Sequence, residues 1–252
     1  ATPSLESYFE CQNSKPSSQL LRLTHRANFS ELPPVTVVDL REEYRKKNKT
    51  MFSDLLQEKI ADRLEKKQQV ILFLNKRGSS SSVTCRDCGF TPKCERCDLA
   101  LTFHAKLKDF LDGGLLCHHC GSYEKTMAKC PQCHSTAIRQ LGTGTQKAEE
   151  QIRSLFPTAR VLRADKDSTG GRHDFEEIYH QMRGGEADIL LGTQMISKGL
   201  DLPQVTLTGI LLADIGLHIP DFRASERVFQ LLTQVAGRSG RHKPGEVIIQ
   251  TY

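Results

Sequence analysis

Four Cys-x-x-Cys pairs, Cys85/Cys88, Cys94/Cys97, Cys117/Cys120 and Cys130/Cys133, crowd one stretch of the sequence. Two thiolates separated by two residues reach the same tetrahedral zinc, and two such pairs close a four-thiolate shell with no open position for chemistry. Eight cysteines in this pattern imply two structural metals. The middle pairs read C-x2-C-x19-C-x2-C, within the range of a zinc ribbon. The expected arrangement is therefore nested, with Cys94, Cys97, Cys117 and Cys120 on one zinc and Cys85, Cys88, Cys130 and Cys133 on the other. Four disulfides or a redox-active Cys-x-x-Cys are the alternatives, but four identical pairs are too regular for the first and too many for the second. His104, His118, His119 and His134 lie among the cysteines as rival ligands and are read as bystanders. Cys11 stands far from the others and is read as an ordinary thiol.

Three further stretches have residue types suited to phosphate or nucleotide chemistry. In Gln234-Val235-Ala236-Gly237-Arg238-Ser239-Gly240-Arg241, a continuing helix would place Gln234, Arg238 and Arg241 on one face. Two glycines there cost a helix about 1 kcal/mol each relative to alanine, so something other than helix stability favours them. Small residues such as Gly237 admit a ligand close to the backbone, and paired guanidinium groups suit a phosphate. The plain alternative is a solvated basic face. In Thr193-Gln194-Met195-Ile196-Ser197-Lys198-Gly199-Leu200-Asp201, which follows an apolar run, Thr193 and Lys198 suit nucleic-acid phosphates and Asp201 suits a ribose hydroxyl. The alternative is a connecting loop with a capping Asp. Ligands of open α/β sheets gather at the carboxyl ends of strands, and this loop is expected there. Gly142-Thr143-Gly144-Thr145 resembles a phosphate cradle but lacks the Lys-Ser/Thr pair of a Walker A loop, and is read first as a plain turn. A helix starting there can still hold a DNA phosphate.

The elements that must position these residues alternate. Residues 51–66 carry apolar positions at helical spacing, and 70–74 (VILFL) form a continuous apolar run suited to a strand buried on both faces. The chain then leaves through Asn75-Lys76-Arg77-Gly78 and four serines to the cysteines, and returns at 137–141. Helices are expected to 154, at 174–183 and at 223–235, with strands at 160–164, 188–191, 207–213 and 247–251. Before them, 20–23 and 35–40 read as strands and the basic segment 41–49 as a solvated loop. Alternating strands and helices imply an α/β, doubly wound parallel sheet, with the metal module inserted into it.

At 252 residues the chain can bury one core and carry a small appended module. It has 38% apolar residues and no apolar run near membrane-spanning length, so a soluble protein with no membrane partner is expected. No charged-then-apolar leader opens it, and reduced cysteines point to the cytosol, which makes the sequons at Asn28 and Asn48 chance matches. A net charge of +5 permits a polyanionic partner without requiring one.

Taken together, ATPS, FLNKRG, CHHCG, GTGTQKAEEQI, DILLGTQMISKGLDLPQVTL, PDFRASERVFQLLTQVAGRSGR and PGEVIIQTY resemble the primosomal protein N′ (PriA) family of bacterial replication-restart DNA helicases, in superfamily 2. The resemblance runs along nearly the whole chain. Lys76 stands where arginine is common, Ser79 to Ser82 replace a more apolar stretch, and the Cys97 to Cys117 loop is longer than usual. The resemblance implies a RecA-like second motor lobe, with residues 1–34 as the tail of the first lobe and a linker. Residues 35–82 and 137–252 would form the lobe, and 83–136 the zinc-binding insertion. It implies an ATP-dependent helicase moving 3′ to 5′, with Arg241 as arginine finger beside Arg238 and Gln234, and with Gly199, Asp201 and Gly237 at the ATP. Thr193, Lys198, Lys76, Arg77, Thr143 and Thr145 would meet DNA. Besides two structural Zn2+, ATP and Mg2+ would be shared with the first lobe in cis. Forked DNA, primosome proteins and single-stranded DNA-binding protein are the implied partners, in a cytoplasmic, nucleoid-associated setting. No G-x-x-x-x-G-K-[ST] loop occurs in the sequence, so this stretch alone is not expected to hydrolyse ATP. The rival reading is a non-enzymatic, zinc-scaffolded DNA- or protein-binding module.

Overall fold

Every residue of the strand Gln69–Leu74 (β2) is buried, as required of a strand covered on both faces. The computed structural model describes residues 2–13, 19–21, 32–75, 81–104, 113–141, 144–165, 172–197, 200–219 and 221–252. In it, β2 lies inside a six-stranded sheet with Val35–Asp39 (β1), Val161–Ala164 (β8), Ile189–Gly192 (β9), Val205–Leu211 (β10) and Glu246–Thr251 (β11). The strand order is β1-β11-β10-β2-β9-β8, and every pairing is parallel.

Side-chain alternation divides the core. Val70, Leu72 and Leu74 join Leu56 and Ile60 of the helix Asp54–Glu65 (α3) and Ala148 and Ile152 of Thr145–Leu155 (α4). Ile71 and Phe73 face the other way, toward Met182 of Arg172–Arg183 (α5) and Val235 of Ala224–Ala236 (α6). Helices thus cover both faces, which is the doubly wound arrangement. Gly209 in β10 lets α3 settle, since a Cβ there would lie 2.8 Å from Leu72 and 2.9 Å from Leu56.

The basic segment expected as a loop holds a helix, Leu40–Arg45 (α2). Asp39 caps it by accepting from the amide of Arg41, and buried Glu43 accepts from the amide of Asp54, tying α2 to the start of α3. Charge count hid a half-buried helix. Of the strand expected at 20–23, residues 20 and 21 carry no strand, and 22 and 23 lie outside the described residues.

The helix Leu5–Gln12 (α1) rests on α6. The amide of Leu5 donates to Glu226, Gln230 donates to the carbonyl of Pro3, and Arg223 pairs with Glu6. Among the described residues no helix is long and apolar enough to cross a membrane.

The insertion has a five-stranded antiparallel sheet of its own, ordered β6-β5-β4-β3-β7, from Ser81–Cys85 (β3), Thr102–His104 (β4), Gly114–Leu116 (β5), Tyr123–Lys125 (β6) and Ile138–Leu141 (β7). Its core is Val83, Leu101, Leu115 and Ile138 with the buried cysteines. Because β3 pairs with β7, both belong to the small sheet, and the chain rejoins the large one after Leu141 rather than at 137.

Candidate functional site

The cysteines gather in the two nested sets that their spacing predicts. Sulfurs of Cys85, Cys88, Cys130 and Cys133 lie within 4.8 Å of one another, as do those of Cys94, Cys97, Cys117 and Cys120. All eight are free thiols. In each pair the amide of the first cysteine donates five residues on, to Phe90, Leu99, Ser122 or Ser135, and its carbonyl accepts from Gly89, Asp98, Gly121 or His134. Those last four residues all have positive φ, at +80°, +53°, +75° and +60°. A left-handed turn strains any residue with a Cβ, so glycine at two of the four positions has a stated reason. The tight turn aims backbone N–H groups at sulfur: amides of Asp87 and Cys88 point at Cys85, those of Arg96 and Cys97 at Cys94, and those of Gln132 and Cys133 at Cys130. Such donors stabilise thiolates, and the donor set suits zinc.

Without a cation, four adjacent thiols do not ionise together. Burial and neighbouring thiols push Cys88 up to about 12, and hydrogen bonding to Cys120 and Cys117 holds Cys97 at about 12. The Ser122 hydroxyl draws Cys120 down to about 6. A divalent ion replaces the retained protons. His119 Nδ1 stands 3.3 Å from Cys97 Sγ, beside a ligand rather than in place of one.

The outer cluster abuts the large lobe. Arg45 donates to the carbonyl of Asp87 at 3.2 Å, and Gly89 lies against Arg41 and the backbone of Tyr252. Tyr252 is tied to the sheet edge through its amide, which donates to Asp214 at 2.8 Å. The inner cluster lies farther along the small sheet, next to β4 and β5.

The second cluster of interest lies where α6 ends. The helix stops at Ala236, with Gly237 as its C-cap, so the expected single face for Gln234, Arg238 and Arg241 does not continue as helix. Gly240, with φ +74°, turns the chain, and the buried Ser239 hydroxyl anchors it to the carbonyl of Glu246. Arg238 is half-buried and donates to the carbonyls of Gln234 (3.2 Å) and Leu200 (3.0 Å). Burial, then the charge of Arg241, pulls its pKa down. Arg241 is more open: its Nε donates to the carbonyl of Gly237 and its guanidinium lies 3.6 Å from Asp201. The same Asp201 oxygen is 3.0 Å from His242 Nε2. That hydrogen bond, with Arg241 behind it, holds the Asp201 carboxyl below the usual range.

Asp201 is at the opposite end of the sheet from the one expected. Thr193 does lie at the carboxyl ends, its amide donating to the carbonyl of Ala164 at the end of β8. The chain then makes a short 3-10 turn, Gln194–Ser197, and crosses to Asp201, four residues before β10 begins opposite Gln69. The carboxyl-end rule for α/β sheets places the first residue of such a loop, while a short crossover without a full helix carries the last one to the amino edge. One loop thus touches both edges.

Thr145 opens α4, but it is buried and its hydroxyl donates to Asp165, so its side chain faces a carboxylate. A phosphate there would have to meet backbone rather than this hydroxyl. Lys76, Arg77, Thr143, Lys198 and Gly199 lie outside the described residues. Sequence reasoning missed His242 and the Leu200 carbonyl. His242 directly follows the arginine motif, and that adjacency was its one available signal.

The parallel sheet sheathed by helices has the RecA-like arrangement of a helicase C-terminal lobe, and residues 136–243 match the helicase conserved C-terminal domain. Over its whole length the chain is also a relative of the replication restart protein PriA. It is 53% identical over 253 residues to that of Bacillus subtilis (strain 168) and 43% over 259 residues to that of Synechocystis, covering 100% of this chain and 31% of each relative. The chain therefore spans about a third of the length of the curated relatives it matches. Among solved structures, S. cerevisiae Dbp5 L327V bound to Gle1 H337R and IP6 aligns at a TM-score of 0.46 with 12% identity, covering 100% of this chain and 42% of that one.

Proposed function

We propose that this chain is the second motor lobe, with its zinc-binding module, of an ATP-dependent 3′ to 5′ DNA helicase that acts at stalled forks in replication restart. The observation that carries the reading is the convergence of Arg238, Arg241 and Asp201 on one edge, in a chain related to PriA throughout. Arg241 is the arginine finger. Its side chain is 37% exposed and held by a carbonyl and a distant carboxylate, so it is free to turn toward a partner lobe. Arg238, half-buried against Leu200 and Gln234, acts as the anchor that keeps the finger's turn in place. ATP with Mg2+, bound on the first lobe, supplies the phosphoanhydride whose developing charge such an arginine stabilises. Asp201 and Gly237 line the same edge, and Gly199 is assigned to the nucleotide with them on this reading. Thr193, at the other edge, and Lys198 meet DNA phosphates, joined by Lys76, Arg77, Thr143 and the backbone at Thr145, so lobe closure moves one strand with little base readout. Because the two ends of one loop serve the two edges, nucleotide and DNA are coupled through the nine residues from Thr193 to Asp201. The two clusters each hold a structural Zn2+ through four thiolates. Primosome proteins and single-stranded DNA-binding protein are partners on this reading, in the bacterial cytoplasm at the nucleoid.

The test is Arg241→Ala in the complete protein. An arginine finger contributes on the order of a thousandfold or more to hydrolysis, so DNA-stimulated ATPase should vanish while zinc content and melting temperature stay unchanged. Unchanged turnover would overturn the assignment. The chain alone, lacking a phosphate loop, should show no ATPase.

A further inference from the structure

We propose that His104 and His118 form a third metal site on the insertion, an accessible pair of imidazoles that takes a borderline divalent transition ion such as Zn2+, Ni2+ or Cu2+. Their Nε2 atoms face each other at 3.0 Å, and the rings meet edge-on at 61° with centroids 5.0 Å apart. Two imidazoles on one tetrahedral ion, with metal–nitrogen bonds of about 2.0–2.1 Å, hold their nitrogens about 3.3–3.4 Å apart. A few tenths of an ångström of opening converts one geometry into the other.

The pair is built from opposite ends of the β4–β5 hairpin. His104 is the last residue of β4, and His118 follows Cys117 just past β5, with Thr102 opposite Leu116 fixing the register. The inner cysteine cluster fixes Cys117 and therefore the start of the turn that carries His118. That backbone gives the pair its second anchor and reduces the ordering cost of binding. Neither ring belongs to a thiolate cluster. His119, the other histidine of this turn, is directed instead to Cys97. His118 is exposed, so two coordination positions stay open to water or to an anionic oxygen. Neutral imidazole suits zinc, nickel and copper, and an open two-nitrogen site has none of the closed character of the four-thiolate ones. Because both ligands are neutral, the bound ion keeps its full charge on the surface of the insertion. The proposal stands apart from the motor reading and does not depend on it.

The experiment loads the 252-residue chain with zinc, removes the excess, and titrates it with Ni2+ in equilibrium dialysis at neutral pH, reading zinc and nickel by elemental analysis. Wild-type chain should take up one saturable equivalent of nickel beyond that bound by His104→Gln/His118→Gln, with both zinc ions retained. His180→Gln, on α5, should bind like wild type. In a parallel Cu2+ titration, the spin-resonance spectrum should carry nitrogen splittings that the double variant lacks. Equal nickel uptake by wild type and the double variant would mean an adventitious ion only, and would overturn the proposal. Should the double variant shed zinc, His104→Gln alone, which leaves the Cys117 turn intact, decides the matter: lost nickel with retained zinc supports the site, and lost zinc overturns it.

Discussion

The two cysteine clusters share ligand set and local backbone but differ in what surrounds them. The outer cluster holds the ends of the insertion and leans on the large lobe through Arg45, Arg41, Gly89 and Tyr252. The inner one is bordered by Ser122, His119 and the β4–β5 hairpin, all parts of the insertion itself. Identical chemistry therefore serves two mechanical roles: one cluster fastens the insertion to the large lobe, and the other shapes what the insertion presents.

The largest effect should come from breaking a ligand. Cys130→Ser should remove the outer ion, which contributes on the order of 10 kcal/mol to local folding, and the loss should reach the large lobe as a lowered melting temperature. Cys120→Ser should remove only the inner ion and leave the lobe's transition in place. Calorimetry with zinc analysis separates the two, and equal damage to the lobe would erase the distinction.

Acidification sharpens the comparison by a smaller amount. Ligation requires thiolates, so metal uptake grows as pH rises through the thiol pKa values. In the metal-free chain the Ser122 hydroxyl brings Cys120 to about 6. Cys130 is pushed up by burial but drawn down to about 7 by the amides of Cys133 and Gln132. The inner cluster should accordingly begin to take up Co2+ at lower pH than the outer, followed by thiolate charge-transfer absorbance in Cys130→Ser and Cys120→Ser chains.

Glycine substitution tests the turns. Gly89 and Gly121 both sit at positive φ, where a Cβ costs about 1–2 kcal/mol. Gly121 has open space around it, whereas Gly89 faces Arg41 and Tyr252. Gly121→Ala should weaken inner-site affinity alone, while Gly89→Ala should also lower the lobe's melting temperature. The smallest effect is Arg45→Ala, which removes one exposed hydrogen bond between lobe and insertion. It should cost no more than about 1 kcal/mol, read as faster proteolysis at the junction rather than as a shift in global melting.

How much of this was legible in the sequence depended on the physics behind each element. Buried strands such as 69–74 announced themselves because both faces need apolar residues. The cysteine nesting was legible because spacing alone limits which pairs can share an ion. By contrast, α2 was hidden because its buried face is carried partly by Glu43, whose carboxylate is satisfied by Asn48 and the amide of Asp54. The end of α6 at Gly237 was missed because the arginine spacing suits a helix whether or not the backbone continues. The meeting of Asp201 with His242 and Arg241 joins residues about 40 apart, and no local pattern reports a long-range pairing of that kind. The insertion's short strands, of three residues each at β4, β5 and β6, leave no periodicity to read.

The pairing of β3 with β7 also bears on how this architecture tolerates change. Both strands that connect the small sheet to the large one are hydrogen-bonded to each other, with Ser82 opposite Leu141. The entry and exit of the whole cassette are thereby brought side by side. Excising it and bridging the gap with a short turn would leave the parallel sheet's registry untouched, and lengthening its tip would not strain the large sheet beneath.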